Sequence, residues 1–162
     1  MIIRDVTPED TATVRQVVAA AFGRVAEADL VEALRDSGDA VMSLVAGDEG
    51  QIVGHILFSR LQAPERCLGL APVAVAPSRQ TQGIGSDLIR EGLARAKRDD
   101  WQAVFVVGEP GYYGRFGFST AAADKFETAY PKPYVLALDF APGALRDRTG
   151  ALLYAPAFLA LE

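Results

Sequence analysis

One stretch constrains this chain more than any other: Val73-Ala74-Val75-Ala76-Pro77-Ser78-Arg79-Gln80-Thr81-Gln82-Gly83-Ile84-Gly85-Ser86-Asp87-Leu88. An apolar run, Cys67 to Ala76, reads as a strand buried on both faces. It passes through a loop with two glycines into Ser86 to Lys97, where Leu88, Ile89, Leu93 and Ala96 recur at helical spacing. Asp99-Asp100 ends that helix, and Trp101 to Val107 follows as a second buried strand. Strand, helix, strand is the pattern of a parallel crossover, so an α/β fold is expected.

The turn between strand and helix has its own chemistry. The first turn of a helix presents unpaired N–H groups and the positive end of the peptide dipole. Glycines let a phosphate come close to that backbone. The segment therefore reads as an anion site for a phosphate ester, set against the plainer reading of a turn that only redirects the chain. Two nucleotide loops fail on particular residues. A Walker loop needs Lys and then Ser or Thr after the second glycine, where Ser86-Asp87 stands. A dinucleotide fingerprint needs a small residue three places after Gly85, and that place is Leu88.

The flanking sequence supplies the rest of the fold. Met1 to Val6 reads as a first strand, and Thr7-Pro8-Glu9-Asp10 as a helix start, with Thr7 as cap and Pro8 at the first helical position. Val14, Val17, Val18, Ala21 and Phe22 form the apolar face of that helix, and Leu30, Val31 and Leu34 mark a second that stops near Gly38. Met42 to Ala46 and Ile52 to Leu61 flank the turn Gly47-Asp48-Glu49-Gly50 and predict a β-hairpin. Tyr134 to Phe140 and Ala151 to Tyr154 read as later strands. No repeat, low-complexity tract or linker divides the 162 residues, a length that suits one domain.

Composition removes several classes of function. One cysteine, Cys67, and one histidine, His55, exclude an internal disulfide and do not supply the four ligands of a structural zinc site. A net charge of −5 argues against a nucleic-acid partner, which needs a basic footprint. No apolar stretch approaches the ~20 residues of a bilayer span, and the N-terminus lacks the pattern of a signal peptide. A cytoplasmic protein is the expectation. Within that acidic chain, residues 79 to 98 carry Arg79, Arg90, Arg95, Lys97 and Arg98 against Asp87 and Glu91, a local excess of positive charge suited to an anionic cofactor.

A second dense segment follows the Trp101 to Val107 strand: Gly108-Glu109-Pro110-Gly111-Tyr112-Tyr113-Gly114-Arg115-Phe116-Gly117-Phe118. Together the two segments resemble the GNAT (N-acetyltransferase) superfamily. Gln80-x-x-Gly83-x-Gly85, with Val75-x-Pro77 before it and Leu88-Ile89 after it, matches that superfamily's cofactor signature. Gly117-Phe118, with Tyr113 four residues before the glycine, matches its other hallmark, and the Tyr-Tyr-x-Arg-Phe-Gly-Phe version resembles a bacterial branch. The resemblance runs from Ile2 to about Phe140. It implies a GNAT fold over residues 1–162, with a single mixed central sheet of about six or seven strands flanked by helices. It implies acetyl-CoA as co-substrate, with the main chain of Gln80, Thr81, Gln82, Gly83, Ile84, Gly85 and Ser86 around the pyrophosphate and that of Val73 and Val75 beside the pantetheine arm. Where many members have an Asn and a longer helix, this chain has Gly108-Glu109-Pro110-Gly111, so a shorter helix is expected.

The implied reaction is direct acetyl transfer to an amine of a small molecule or peptide. The resemblance places Tyr113 as general acid, with Tyr112 as the register alternative. A phenol with pKa near ~10 stays protonated at neutral pH and can donate to a departing thiolate. The oxyanion donor is expected to be a main-chain N–H near Val73, since Pro72 has none. Glu109, His55 and Glu65 are candidate bases without an assignment, and Cys67 as an acyl carrier lacks an activating partner in the sequence. Glu27, Asp29 and Glu32 are candidate receivers of a cationic acceptor, set against the plainer reading of a solvated helix face. A homodimer is expected by fold analogy. A noncatalytic acyl-CoA-binding module on the same fold is the alternative function.

Overall fold

The computed structural model describes residues 1–161. Its main sheet has six strands: β1 (Ile2–Asp5), β2 (Ala40–Asp48), β3 (Gln51–Arg60), β4 (Cys67–Val75), β5 (Ala103–Val107) and, after a two-residue strand β6 (Phe126–Glu127), β7 (Val135–Asp139). The spatial order is β1-β2-β3-β4-β5-β7, and only the β4–β5 pair is parallel. That mixed sheet flanked by helices is the expected GNAT-type architecture.

Helices α1 (Thr11–Phe22) and α2 (Ala26–Ser37) cover one face of the sheet, and α3 (Ile84–Arg98) covers the other. Under α3, the stripe Leu88, Ile89 and Ala96 meets Phe58, Leu70 and Val104, all buried. Full burial of a leucine or isoleucine contributes roughly 1.5–3 kcal/mol, so this stripe fixes α3, and the turn before it, to the sheet. On the opposite face Val18 and Leu34 pack on Val45, Leu57 and Ala74. A third cluster joins Phe105 and Ala137 to Phe126 and Leu152, beneath α5 (Thr120–Ala123) and the short pair of β6 with β8 (Gly150–Ala151).

Several local readings shift. Helix α3 starts at Ile84, two residues before the expected Ser86, because Gly83 with φ of 86° turns the chain into the helix. Pro8–Asp10 forms a 3-10 turn ahead of α1 with Thr7 at its N-cap, where the Asp10 carboxylate accepts the Thr7 N–H at 2.8 Å and the Thr7 hydroxyl at 3.1 Å. The strand expected over Ala151 to Tyr154 contracts to β8 and a single bridge from Leu153 to Ala63. The stop of α2 at Gly38 and the hairpin of β2 with β3 stand as read.

The decisive irregularity lies in β4. Its ladder with β5 comprises Cys67 to Gly69 against Ala103 to Phe105, yet β4 runs on to Val75 and β5 to Val107. The register against β3 explains the parting: Phe58 faces Leu70 but Ile56 faces Val73, so β4 carries an extra residue there. A bulge bends its strand and raises the local twist. Beyond Gly69, β4 therefore diverges from β5 and leaves a wedge-shaped slot that opens toward the N-terminus of α3.

Candidate active site

The slot has a polar edge. Ala76 donates its N–H to Val53 O on β3. By the alternation of an antiparallel ladder, Ala74 also faces β3, and Val73 and Val75 turn their peptide groups to the side that β5 vacates. Val75 O meets the Gln80 side-chain amide at 3.2 Å, which ties the start of the turn to the strand end.

At the mouth of the slot the turn is a run of free donors. Among the described residues no backbone N–H from Gln80 to Ser86 has a protein acceptor, and the first helical bond is Asp87 N–H to Gly83 O. Thr81 and Gly83 adopt positive φ, 64° and 86°, which turns the successive peptide planes. Such an array, at the positive end of a helix dipole, is an anion site.

The structure brings a guanidinium to the same place. Arg115 donates to Ser86 Oγ at 3.1 Å and lies over the rings of Tyr112 and Phe116 at 5.1 and 5.5 Å. It has no carboxylate partner among the described residues. Arg115 stands inside the aromatic motif, where spacing alone does not mark it as a neighbour of the turn. Of the basic residues between positions 79 and 98, Arg79 is held by Asp48 at 2.7 Å, and Arg95 by Glu91 and Asp5.

The two adjacent tyrosines separate. Tyr112 Oη sits 3.4 Å from Ser86 Oγ, beside the turn. Tyr113, at the end of the four-residue α4 (Pro110–Tyr113), packs on Gly108, on Phe118 at 5.9 Å between centroids, and edge-on to Tyr112 at 5.0 Å. Its hydroxyl has no hydrogen-bond partner among the described residues. Burial first, then the neighbouring Tyr112, pushes its pKa up to about 12.

The other candidates lie elsewhere. His55 is fully buried on β3, its Nε2 is 2.8 Å from Ser43 Oγ, and its Nδ1 has no partner among the described residues. Burial lowers its pKa to about 4. A neutral, solvent-free imidazole of that acidity is a poor acceptor of a substrate proton at neutral pH. Glu65 is exposed beyond the N-terminal end of β4, away from the slot's mouth. Glu109 is exposed at the start of α4, where its carbonyl accepts the N–H groups of Tyr112 and Tyr113. Cys67 is buried on the closed end of the β4–β5 ladder, and burial raises its thiol pKa. Of the acidic trio, Glu27 pairs with Arg24, while Asp29 and Glu32 share Arg15 at 2.9 and 3.1 Å, so these carboxylates are already met by cations. Among the described residues no His, Cys, Asp and Glu cluster is placed to hold a metal, and no helix is long and apolar enough to cross a membrane.

A parted pair of parallel strands with a donor-lined turn at its mouth suits a ligand whose phosphate meets the turn and whose extended arm enters the slot. Comparison with known proteins agrees: residues 2–121 match the acetyltransferase (GNAT) domain family, and the chain belongs to that family. It is 42% identical over 133 residues to the uncharacterized N-acetyltransferase YjhQ of Escherichia coli K12, covering 77% of this chain and 71% of that one. Against the uncharacterized N-acetyltransferase YhbS of the same strain it is 36% identical over 135 residues, 81% of each. The crystal structure of E. coli YhbS with CoA superposes with a TM-score of 0.91 at 32% identity, covering 98% of this chain and 91% of that one. A GNAT acetyltransferase of Brucella melitensis with acetyl-CoA gives 0.83 at 38% identity, covering 97% of both chains.

Proposed function

We propose that this chain transfers the acetyl group of acetyl-CoA directly to an amine of a small molecule or peptide, with residues 1–162 acting as one domain in the cytoplasm. The observation that carries the reading is the unbroken run of unpaired N–H groups from Gln80 to Ser86 at the mouth of the β4–β5 slot. A diphosphate satisfies those donors, Arg115 adds a nearby cation that has no carboxylate partner among the described residues, and the pantetheine arm lies along the peptide groups of Val73 and Val75. Two structural relatives at 32% and 38% identity hold CoA and acetyl-CoA.

The chemistry follows from what faces the slot. As the amine attacks the thioester carbonyl, negative charge grows on its oxygen and calls for a main-chain donor. The Val73 N–H, above the bulge and turned toward the slot, supplies one. When the tetrahedral intermediate collapses, the C–S bond breaks and the sulfur leaves as thiolate, which takes its proton from Tyr113; the proton shed by the attacking nitrogen passes to solvent, from which the Tyr113 phenolate is reprotonated. A buried phenol with pKa near 12 is fully protonated at physiological pH and has no competing partner.

Thermal unfolding with CoA and acetyl-CoA tests the cofactor site. Ligand at 100 times its Kd adds about 2.7 kcal/mol, and acetyl-CoA is expected to stabilise the protein. An amine panel scored by release of free CoA then identifies the acceptor class. A melting curve that no CoA species moves would remove the transferase reading and leave an α/β scaffold.

A further inference from the structure

Gly69 is the last residue of β4 that pairs with β5. A side chain at that position would overlap the ring of Tyr154, and Leu61 closes in behind it at 3.1 Å. Tyr154 comes from the C-terminal segment, 85 residues further along the chain and outside residues 2–121 that match the family. Its ring packs partly into the cluster under α1 and α2 and partly into the cluster under α5, and so stands on the seam between them, over the point where the strands part. Tyr130 meets it edge-on at 5.7 Å between centroids, and Phe158 backs it at 4.9 Å. The segment is anchored there: Gln62 donates to Tyr154 O at 2.8 Å, and Leu153 bridges to Ala63.

The slot therefore has an open end at the α3 turn and a closed end at Gly69, and the Tyr154 ring lies over that closed end on the sheet face opposite α3. Six residues of strand separate Val75 from Gly69. At ~3.3 Å per residue that is about 20 Å, shortened by the bulge, and comparable to an extended phosphopantetheine arm. An arm whose phosphate sits at the turn carries its thioester down the slot, so the acyl carbons point at the capped end. The Tyr154 hydroxyl has no hydrogen-bond partner among the described residues. Burial, then the nearby Tyr130 and Tyr113, raise its pKa.

We propose that Tyr154 is a specificity-determining residue: its ring, seated over Gly69, is the stop at the inner end of the slot and restricts the donor to short acyl groups. The proposal rests on the cofactor reading above. Bulk makes the stop, not the hydroxyl, so Tyr154→Phe retains it, Tyr154→Leu shortens it and Tyr154→Ala removes it.

Calorimetric titration of the purified protein with CoA, acetyl-CoA, butyryl-CoA and hexanoyl-CoA tests this without knowledge of the acceptor. Wild type and Tyr154→Phe are expected to bind hexanoyl-CoA at least about tenfold more weakly than acetyl-CoA. Tyr154→Ala is expected to lose most of that gap while its affinity for CoA itself stays within about threefold, and Tyr154→Leu to fall between them. The leucine variant keeps an apolar filler against Phe158 and carries the test where the alanine variant does not fold. Two results overturn the stop: no length penalty in wild type, or a penalty unchanged in the alanine or leucine variant that still binds CoA. A wild-type protein that binds no CoA species overturns the cofactor reading instead, and the stop with it.

Discussion

One edge of the Tyr113 ring lies against Gly108, so closely that a methyl group at position 108 would overlap it. Gly108 follows directly on β5, and its N–H is held by Tyr134 O at 2.9 Å, so it has little freedom to yield. The absence of a side chain there sets where the phenol points. Gly108→Ala is expected to displace Tyr113 and lower the turnover of acetyl-CoA by about 10- to 100-fold, since small misplacements of a reacting group cost that much. Affinity for CoA, made mostly at the turn, is expected to change by less than threefold. Turnover followed as CoA release, with calorimetry on the same variant, separates the two.

Adjacent tyrosines give a sharper contrast. Tyr113→Phe removes the proton donor and is expected to reduce kcat by about 10²- to 10⁴-fold with little change in CoA affinity. Tyr112→Phe loses only a hydroxyl 3.4 Å from Ser86 and is expected to change kcat by less than about threefold. The pH profile adds a second check. A phenol with pKa near 12 begins to lose its proton only above about pH 11, so kcat should not fall through Tyr113 ionisation below that pH. A descending limb near pH 9 that vanishes in Tyr113→Phe would contradict this environment.

The anion site is tested at its cation and at its glycine. Arg115→Ala removes the one guanidinium beside Ser86 without a carboxylate partner among the described residues. A charge-assisted contact to phosphate of this kind corresponds to about a tenfold loss in CoA affinity, and Arg115→Lys should recover part of it. Gly83→Ala places a side chain at φ of 86°, at a cost of roughly 1–2 kcal/mol. Weaker CoA binding and a lower melting temperature are expected together. Calorimetry showing unchanged affinity in both variants would place the phosphate elsewhere.

His55 makes the fold sensitive to acid. Folded, the imidazole is buried and neutral down to about pH 4. Unfolded, it takes up a proton near its ordinary pKa of about 6.5. The unfolded chain therefore binds more protons in that interval, and stability falls as pH drops from about 6.5 to 4, by on the order of 3 kcal/mol from this group. Denaturant unfolding at pH 7 and pH 4.5 should show the loss, and His55→Leu should flatten it. An equal loss in the variant would assign the acid sensitivity to the carboxylates.

Much of the candidate site's framework is legible in the sequence. Gly83 and Gly85, the strand ahead of them and the stripe Leu88, Ile89 and Ala96 sit close together in the chain, and a turn into a helix is settled by local dihedral and hydrogen-bond requirements. The short α4 follows from Pro110 and Gly111 in the same way. The boundary of α3 missed by two residues because Gly83 enters the helix directly from a left-handed conformation. Beyond Phe118 the pattern is poorer: β6 and β8 hold two residues each and gain their places by docking on Phe105 and Ala137, which no periodicity records.

From its sequence alone this chain specified a buried strand running through a glycine turn into an amphipathic helix, and a short aromatic segment with two adjacent tyrosines after the next strand. Those features depend on neighbours within a few residues, so composition and spacing suffice to write them. Only the tertiary structure decided that β4 parts from β5 at Gly69, that Arg115 reaches Ser86, that the acidic trio is already paired, and that Tyr154 packs on Gly69. Each of these depends on side chains from distant parts of the chain competing for the same space, and that competition is resolved when the clusters on the two faces of the sheet pack, not before.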